Sequence, residues 1–495
     1  MPPKAGPAPG PAEARPRIIL ALGNVTEVNA LLPYGERLAE TADVHVLFAS
    51  PLDAALFGSR IAGKPGMHLL DPGLAEGLSP WIAARAAALA RRIGPLRRPI
   101  ETAAAKLDAL WRHLGAGRAL LRLEPWCRAV LMRLRPAAIV TGADRDLRAR
   151  LMLLRCAHES GVRIVVIPAA LPAFRRSLVD WRLRDRRFRV PTGSDLAARH
   201  PAHVIDGPDG QRLAFFNPSV YTPALAQAGV LRGNPWVLGG MWGDVVLAPG
   251  RDIARQFVAE GLPAERVRVV GSLELDRLAA GHARRAEIRA ALIRDFAQPG
   301  APGPLIGWSV HQHFEHDLLP AAASDRLMRE VAKALLSLGG VVVASLHPKM
   351  DPARYRWLAE LDPRLRIAPD RLDGWLGACD LFTAAGYSST IGWAAALGVP
   401  TVVYDTLQFR DPLFDARPGV RIAYDGAGYA TLLEAFADPR ERAAWTAAAA
   451  ADGEAPELLD GHSMDRVASV VFGQHTVADV AGGWTTGPAV ATTPA

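Results

Sequence analysis

The segment Asp380–Asp405, DLFTAAGYSSTIGWAAALGVPTVVYD, reads as strand, small-residue turn, short helix, tight turn and strand. Its turn, Gly386-Tyr387-Ser388-Ser389-Thr390, sets a glycine and three hydroxyls where the helix begins. Backbone N–H groups are unpaired at such a point, and the helix dipole favours an anion. An ordinary N-cap cluster uses the same residues. Upstream, VVVASLHPKM is a second buried run, and it ends in His347-Pro348-Lys349. Open parallel sheets bind ligands at the carboxyl ends of their strands, so two such ends lead us to expect a nucleotide-phosphate site.

The same rhythm extends around this segment. FAQPGAPGP is a linker by its Pro and Gly content, and PLIGWSV after it is a strand. SDRLMREVAKALLSLG is a helix, and another is expected from about Ala353 to Leu361. RLRIAP reads as a strand, RLDGWLGAC as a helix, VRIAYD as a last strand and Tyr429 to Ala451 as helical.

The N-terminal half repeats the pattern less regularly. RIILALGN (Arg17–Asn24), ADVHVLFAS, PAAIVTGADRD, GVRIVVIPAAL and DVVLAPG read as strands, with helices near Val28–Thr41 and Leu147–Ser160 and in RDIARQFVAEGL. RVVGSLELD adds a strand and turn, and a connecting helix runs to about Asp295. We expect an α/β protein of two Rossmann-like doubly wound domains, 17–279 and 280–472, facing across a cleft, with disordered tails at 1–16 and 473–495.

At 495 residues the chain exceeds one ordinary core, and a composition half apolar and 22% charged is globular. The net charge of +7 fits an anionic ligand, an acidic membrane surface or nucleic acid without selecting one. Cys127, Cys156 and Cys379 have no CxxC spacing and define neither a disulfide framework nor a zinc site. The N-terminal stretch has no apolar signal core, and no run approaches the ~18 apolar residues of a span, so a cytoplasmic protein is expected.

Two stretches are strongly basic. Residues 74–135 carry Ala, Leu and Arg at helical spacing and read as an insertion into the first domain. Its basic side either simply faces water or forms an amphipathic surface for an anionic membrane, here the inner membrane, or for an acidic acceptor. Phe174–Val190 holds seven arginines with Trp181 and Phe188 interleaved. Nothing else in the chain matches a nucleic-acid module, so an acidic acceptor or a mobile basic loop is preferred there to nucleic acid.

Chemistry-bearing residues gather at the expected strand ends. In the second domain these are His311 and Gln312 within SVHQHFEHD, then His347, Pro348 and Lys349, then Gly386, Tyr387, Ser388, Ser389 and Thr390. The HxHxEHD run lacks the helical spacing of a zincin motif, so phosphate hydrogen bonding is preferred to a metal. Glu315 and Asp317 suit the first turn of the following helix. In the first domain Asp144 and Asp146 lie at the carboxyl end of their strand. Pro412 and Phe414 give a weak signal for contact with a base or sugar.

A His-Pro pair at 347–348, Ser388-Ser389 about forty residues on, and a helix ending Leu397-Gly398-Val399-Pro400 together resemble the donor-binding domain of bacterial GT-B glycosyltransferases. The pattern is most similar to CMP-sugar enzymes, the sialyl- and Kdo-transferases of capsule and lipopolysaccharide synthesis. It is more distantly similar to CDP-glycerol glycerophosphotransferases and UDP-GlcNAc 2-epimerases. APG, a helix and GLPAERVRVVGSLELD look like the interdomain crossover of all these groups, and the resemblance covers about Asp244 to Tyr424. It implies that His347 and Ser388-Ser389 bind the donor's phosphate and cytidine, with no cofactor beyond the nucleotide-sugar substrate. It further implies a first-domain acid, Asp144 or Asp146, as general base, with His311 a second catalytic candidate. The family's acid-acid-Gly motif is not cleanly present at those aspartates, and the helix carboxylate of epimerases and many UDP-using members is replaced here by Trp393-Ala394-Ala395-Ala396.

Overall fold

The computed structural model describes residues 15–23, 25–49, 51–71, 117–145, 149–169, 175–207, 210–219, 221–296, 303–316, 318–347, 350–368, 370–386, 388–408, 410, 414, 417–452 and 458–473. Residues 1–14 and 474–495 of the expected tails, residues 74–116 of the insertion, Asp146, Asp317, Pro348, Lys349, Tyr387 and Pro412 lie outside them. The chain divides into two compact units, one running to Val269 and resuming at Asp465, the other Val270–Met464. Ala279, the expected boundary, falls within the helix Leu273–Ala283.

The first unit is built on β1 (Arg17–Leu22), β2 (Asp43–Phe48), β3 (Met67–Leu70), β4 (Ala138–Thr141), β5 (Arg163–Val166), β8 (Val245–Ala248) and β9 (Val267–Val269). They form one parallel sheet in the order β3-β2-β1-β4-β5-β8-β9. Ile18 to Leu22 are wholly inaccessible, as required of a central strand covered on both faces. β3 was not anticipated, because MHLL is four residues with only its ends buried. Between β5 and β8 lies a short antiparallel pair, β6 (Val204–Asp206) and β7 (Arg212–Ala214).

Residues 117–134 form a helix. Leu120, Leu123, Cys127, Val130, Leu131 and Leu134 recur along it at three and four and enter the core with Met152, Leu153 and Cys156 of the helix Ala149–Glu159.

The arginine-rich stretch is not a mobile loop. It is the helix Arg175–Arg184 followed by a tight turn, Arg186–Phe188. Leu178 anchors the helix in the core, and the Arg182 guanidinium lies 4.7 Å from the Phe188 ring centre and 4.6 Å from that of Phe215. Part of the positive charge is therefore committed to packing.

The second unit carries β10 (Leu305–Ser309), β11 (Val341–Ser345), β12 (Leu365–Ile367), β13 (Leu381–Ala385), β14 (Thr401–Tyr404) and β15 (Val420–Ala423). They too are parallel, in the order β12-β11-β10-β13-β14-β15. In both sheets the chain first winds one way, returns to the centre, and winds the other way. The reversal lies between β1 and β4 in one sheet and between β10 and β13 in the other. The α/β class with two Rossmann-like doubly wound sheets therefore stands.

Three local expectations change. RLDGWLGAC forms two 3₁₀ turns, Leu372–Gly374 and Leu376–Ala378, in place of a helix. The helix after β11 starts only at Trp357. Glu315 does not begin a helix, because Pro320 sets the start of the next one at Ala321.

Candidate functional site

The site assembles where the second sheet reverses. Ile306, Gly307 and Trp308 of β10 pair with Leu381, Phe382 and Thr383 of β13, so the residues leaving these strands flank the switch point. From β10 come Val310 to His313, from β13 Gly386, from β11 His347, and from β14 Asp405.

His311 is the best-defined member. It is 1% exposed, and neither Nδ1 nor Nε2 has a hydrogen-bond partner. Its ring centre lies 6.4 Å from Trp308, 5.4 Å from His313 and 6.2 Å from Tyr404. Burial, with repulsion from His313, pushes its pKa down to about 3. Burial and the neighbouring His316 bring His313 down to about 4, against an opposing pull from Asp405. At neutral pH His311 is thus an uncharged imidazole with one donor and one acceptor nitrogen, both idle. Burying such groups is costly unless a partner is supplied. Trp308 Nε1 and Gln312 Oε1 are unpaired in the same way.

Gly386 is needed by its neighbour. A Cβ there would stand 2.6 Å from Asp405 Cγ. Asp405 in turn accepts from the Arg410 backbone N–H at 2.8 Å. Gln408 and Arg410 both have φ of 51°, a left-handed conformation costly for non-glycine residues. Behind them Tyr404 stacks on Tyr429 at 4.6 Å, and the Tyr429 hydroxyl bonds Thr383 Oγ1 at 3.1 Å.

The hydroxyl turn is only partly what the sequence promised. Ser388 Oγ and Thr390 Oγ1 bond each other at 2.7 Å, and Ser389 makes no side-chain cap to the helix Thr390–Ala396. His347 is half-buried, its N–H facing Met350 Sδ at 3.4 Å and its ring centre 6.4 Å from that of His316. Pro348, Lys349 and Tyr387 lie outside the described residues. Sequence reasoning missed Asp405 and the network around Glu315. The Tyr355 hydroxyl donates to Glu315 Oε1 at 2.5 Å from forty positions away, a contact with no local signal.

The equivalent point of the first sheet is filled by the protein itself. Glu27 and Arg150, 6% and 1% exposed, form an ion pair beside the ends of β1 and β4. Gly23 N–H donates to Glu27 Oε2 at 2.7 Å, and Arg150 donates to Thr141 Oγ1 at 3.2 Å. A Cβ on Gly23 would meet the Arg150 guanidinium, and one on Gly142 the Glu27 carboxylate.

Asp144 is wholly buried. Its carboxylate accepts from the backbone N–H groups of Gly239, Met241, Trp242 and Gly243 at 2.7 to 3.2 Å. That is the geometry of a loop anchor, since both oxygens already accept from backbone N–H groups, and it corrects the expectation of Asp144 as general base. Asp146 lies outside the described residues. Among the described residues, no group of three or more His, Cys, Asp or Glu is arranged to hold a metal ion, and no helix is long and apolar enough to cross a membrane.

No family model and no curated protein matches the chain. Solved structures do match. The glycotransferase of kitacinnamycin is 14% identical, with 92% of this chain and 98% of that one covered and a TM-score of 0.51. UDP-GlcNAc 2-epimerase from Neisseria meningitidis, bound to UDP-GlcNAc, is 11% identical over 92% of this chain and 100% of its own, at a TM-score of 0.46. The wall teichoic acid polymerase TagF is 10% identical over 92% and 87%, at 0.45. At such identities the likeness is one of fold, and the fold is GT-B, with two Rossmann-like units in one chain.

Proposed function

We propose that this protein is a glycosyltransferase that moves a sugar from a nucleotide donor, CMP-linked by preference, to a hydroxyl of a surface glycan or glycoconjugate. The observation that carries the reading is His311, buried with both ring nitrogens unpaired at the switch point of a Rossmann-type sheet. The His347-Pro348 and Ser388-Ser389 resemblance supports the donor assignment. In this reading a base deprotonates the acceptor hydroxyl. The neutral His311 N–H, with His347, Lys349 and the hydroxyls of Ser388, Ser389 and Thr390, stabilises the departing phosphate. Asp144 takes no part in catalysis, which leaves Asp146 as the first-domain candidate for the base. The enzyme works in the cytoplasm, in peripheral contact with the inner membrane.

Thermal shift with CMP, CDP, UDP and GDP tests the donor site. A rise in Tm with a cytidine nucleotide is expected, and no rise with any nucleotide overturns the reading. Product analysis with a panel of nucleotide sugars then separates sugar transfer from polyol-phosphate transfer and 2-epimerisation. The helix Thr390–Ala396 has no acid, which disfavours the epimerase. A nucleotide-binding unit without transfer activity is the competing reading, favoured by the engagement of Asp144 in structure. Binding without turnover of any donor would establish it.

A further inference from the structure

We propose that Glu315, clamped by Tyr355, is the acceptor for a vicinal pair of hydroxyls on the ligand bound at the β10–β13 switch point. The proposal rests on the nucleotide-site reading and adds a specificity residue to it. The loop after β10 closes on itself, with His316 N–H donating to the Gln312 carbonyl at 3.2 Å and Leu318 N–H to that of His313 at 2.9 Å. Glu315 is thereby held on the same loop as His311 and Gln312 rather than in a helix.

Its two carboxylate oxygens have different fates. Oε1 receives the hydroxyl of Tyr355, a residue with no exposed surface. Oε2 is screened from solvent and has no partner. Arg354 lies close enough to feel the charges of Glu315 and Tyr355, but its Nη2 donates to Asp325 at 2.8 Å, its guanidinium stacks 4.7 Å from the Phe314 ring centre, and its Nε is buried without bonding to the carboxylate. A fixed, dehydrated carboxylate oxygen with nothing to accept from is a costly feature unless a donor arrives with the ligand.

The chemistry of that donor follows from its neighbours. Gln312 Oε1 is also an unpaired acceptor. The carboxylate repels phosphate, and together the two acceptor oxygens select groups carrying O–H. A 1,2-diol supplies two such donors at adjacent carbons. The switch-point helix Thr390–Ala396, TIGWAAA, has no carboxylate that could serve a diol instead. Either the ribose of a nucleotide or the transferred sugar carries this diol.

Calorimetric titration of the full-length protein tests the inference. The probes are CMP, CDP and UDP, their 2′-deoxy forms, and the nucleotide sugars of whichever nucleotide binds. Wild type is expected to bind the ribonucleotide roughly ten-fold or more above the deoxy form, as for hydrogen bonds to a charged acceptor. Glu315→Ala should bring that ratio close to one, and Tyr355→Phe, which keeps the carboxylate but frees it, should lower it partway. If the ribose ratio stays at one in wild type while Glu315→Ala abolishes the preference for nucleotide sugar over nucleotide, the diol belongs to the transferred sugar. A purely structural role would lower affinity for all probes together, leave every ratio unchanged, and overturn the proposal. Nucleotide binding with unaltered ratios sinks only this inference. Absence of any nucleotide binding by wild type sinks the site reading and this inference with it.

Discussion

At the scale of single residues, two opposite uses of burial stand out. His311 is buried and idle, whereas Asp144 is buried and saturated by backbone N–H groups. Mutation should separate them. His311→Leu removes two buried nitrogens that have no hydrogen-bond partner in the protein, so we expect Tm to hold or rise while nucleotide affinity falls at least ten-fold. A large loss of Tm would mean that His311 is part of the core instead. Asp144→Ala should do the reverse, unfolding the loop Gly239–Gly243 at a cost of about 3 kcal/mol or more in denaturant titration. Gly386→Ala is a steric test. With its Cβ 2.6 Å from Asp405 Cγ, it should cost about 1–3 kcal/mol and weaken binding at the proposed nucleotide site by displacing Asp405. A variant as stable as wild type would show that Asp405 moves freely.

The residue scale also shows how far the sequence could be read. The places of His311, Gln312, His347, Gly386 and Ser388 just past strand ends were legible because they follow apolar runs directly, and a strand's end is a local property. Glu315 and Asp405 were not, because their roles depend on Tyr355 and Gly386, which the chain brings in from elsewhere. Asp144 was misread for the same reason. An aspartate at a strand end looks identical whether its partners are substrate atoms or four N–H groups of a loop about a hundred residues away.

At the scale of elements, the two switch points differ in what fills them. The second is flanked by unpaired polar atoms, the first by the Glu27–Arg150 pair. Arg150 sits in the helix Ala149–Glu159, where the sequence offers only one more arginine among many. Removing one partner leaves a buried charge, so Arg150→Met should destabilise by about 3–5 kcal/mol. Glu27→Gln combined with Arg150→Met should recover most of that loss. If the double variant is no more stable than Arg150→Met alone, the pair is not what the glycines at 23 and 142 accommodate. The helix Arg175–Arg184 teaches the complementary lesson. Its four arginines equal its apolar residues in number, yet Leu178 lies in the core and Arg182 lies between two aromatic rings.

For the whole molecule, buried histidines in both units make acid the weak side. Burial and His200 push His203 down to about 4, alongside His313 at about 4 and His311 at about 3. Each folded-state pKa lies below the unfolded value near 6.5, so below that pH the unfolded chain binds protons that the native state refuses. Stability is complete above about pH 6.5 and declines as the pH falls toward 4, by up to about 1.4 kcal/mol per pH unit for each histidine. Melting at pH 7.5, 6 and 5 should show Tm falling across that series. A flat profile would mean that these rings are protonated in the folded state.

What the sequence determined by itself was the alternation of short apolar runs with helical segments, and from it the two doubly wound sheets and the places where strands end. That information is local, because burial on both faces of a parallel strand requires a continuous apolar run whatever the rest of the chain does. What only the tertiary structure decided was which polar groups at those ends are already satisfied. Hydrogen-bond partners for Asp144, Glu27 and Glu315 come from distant positions, and the cost of an unpaired buried group is fixed by those partners rather than by residue type. The packing of side chains leaves buried polar atoms without a protein partner at the switch point of the second sheet and fills that of the first with an ion pair.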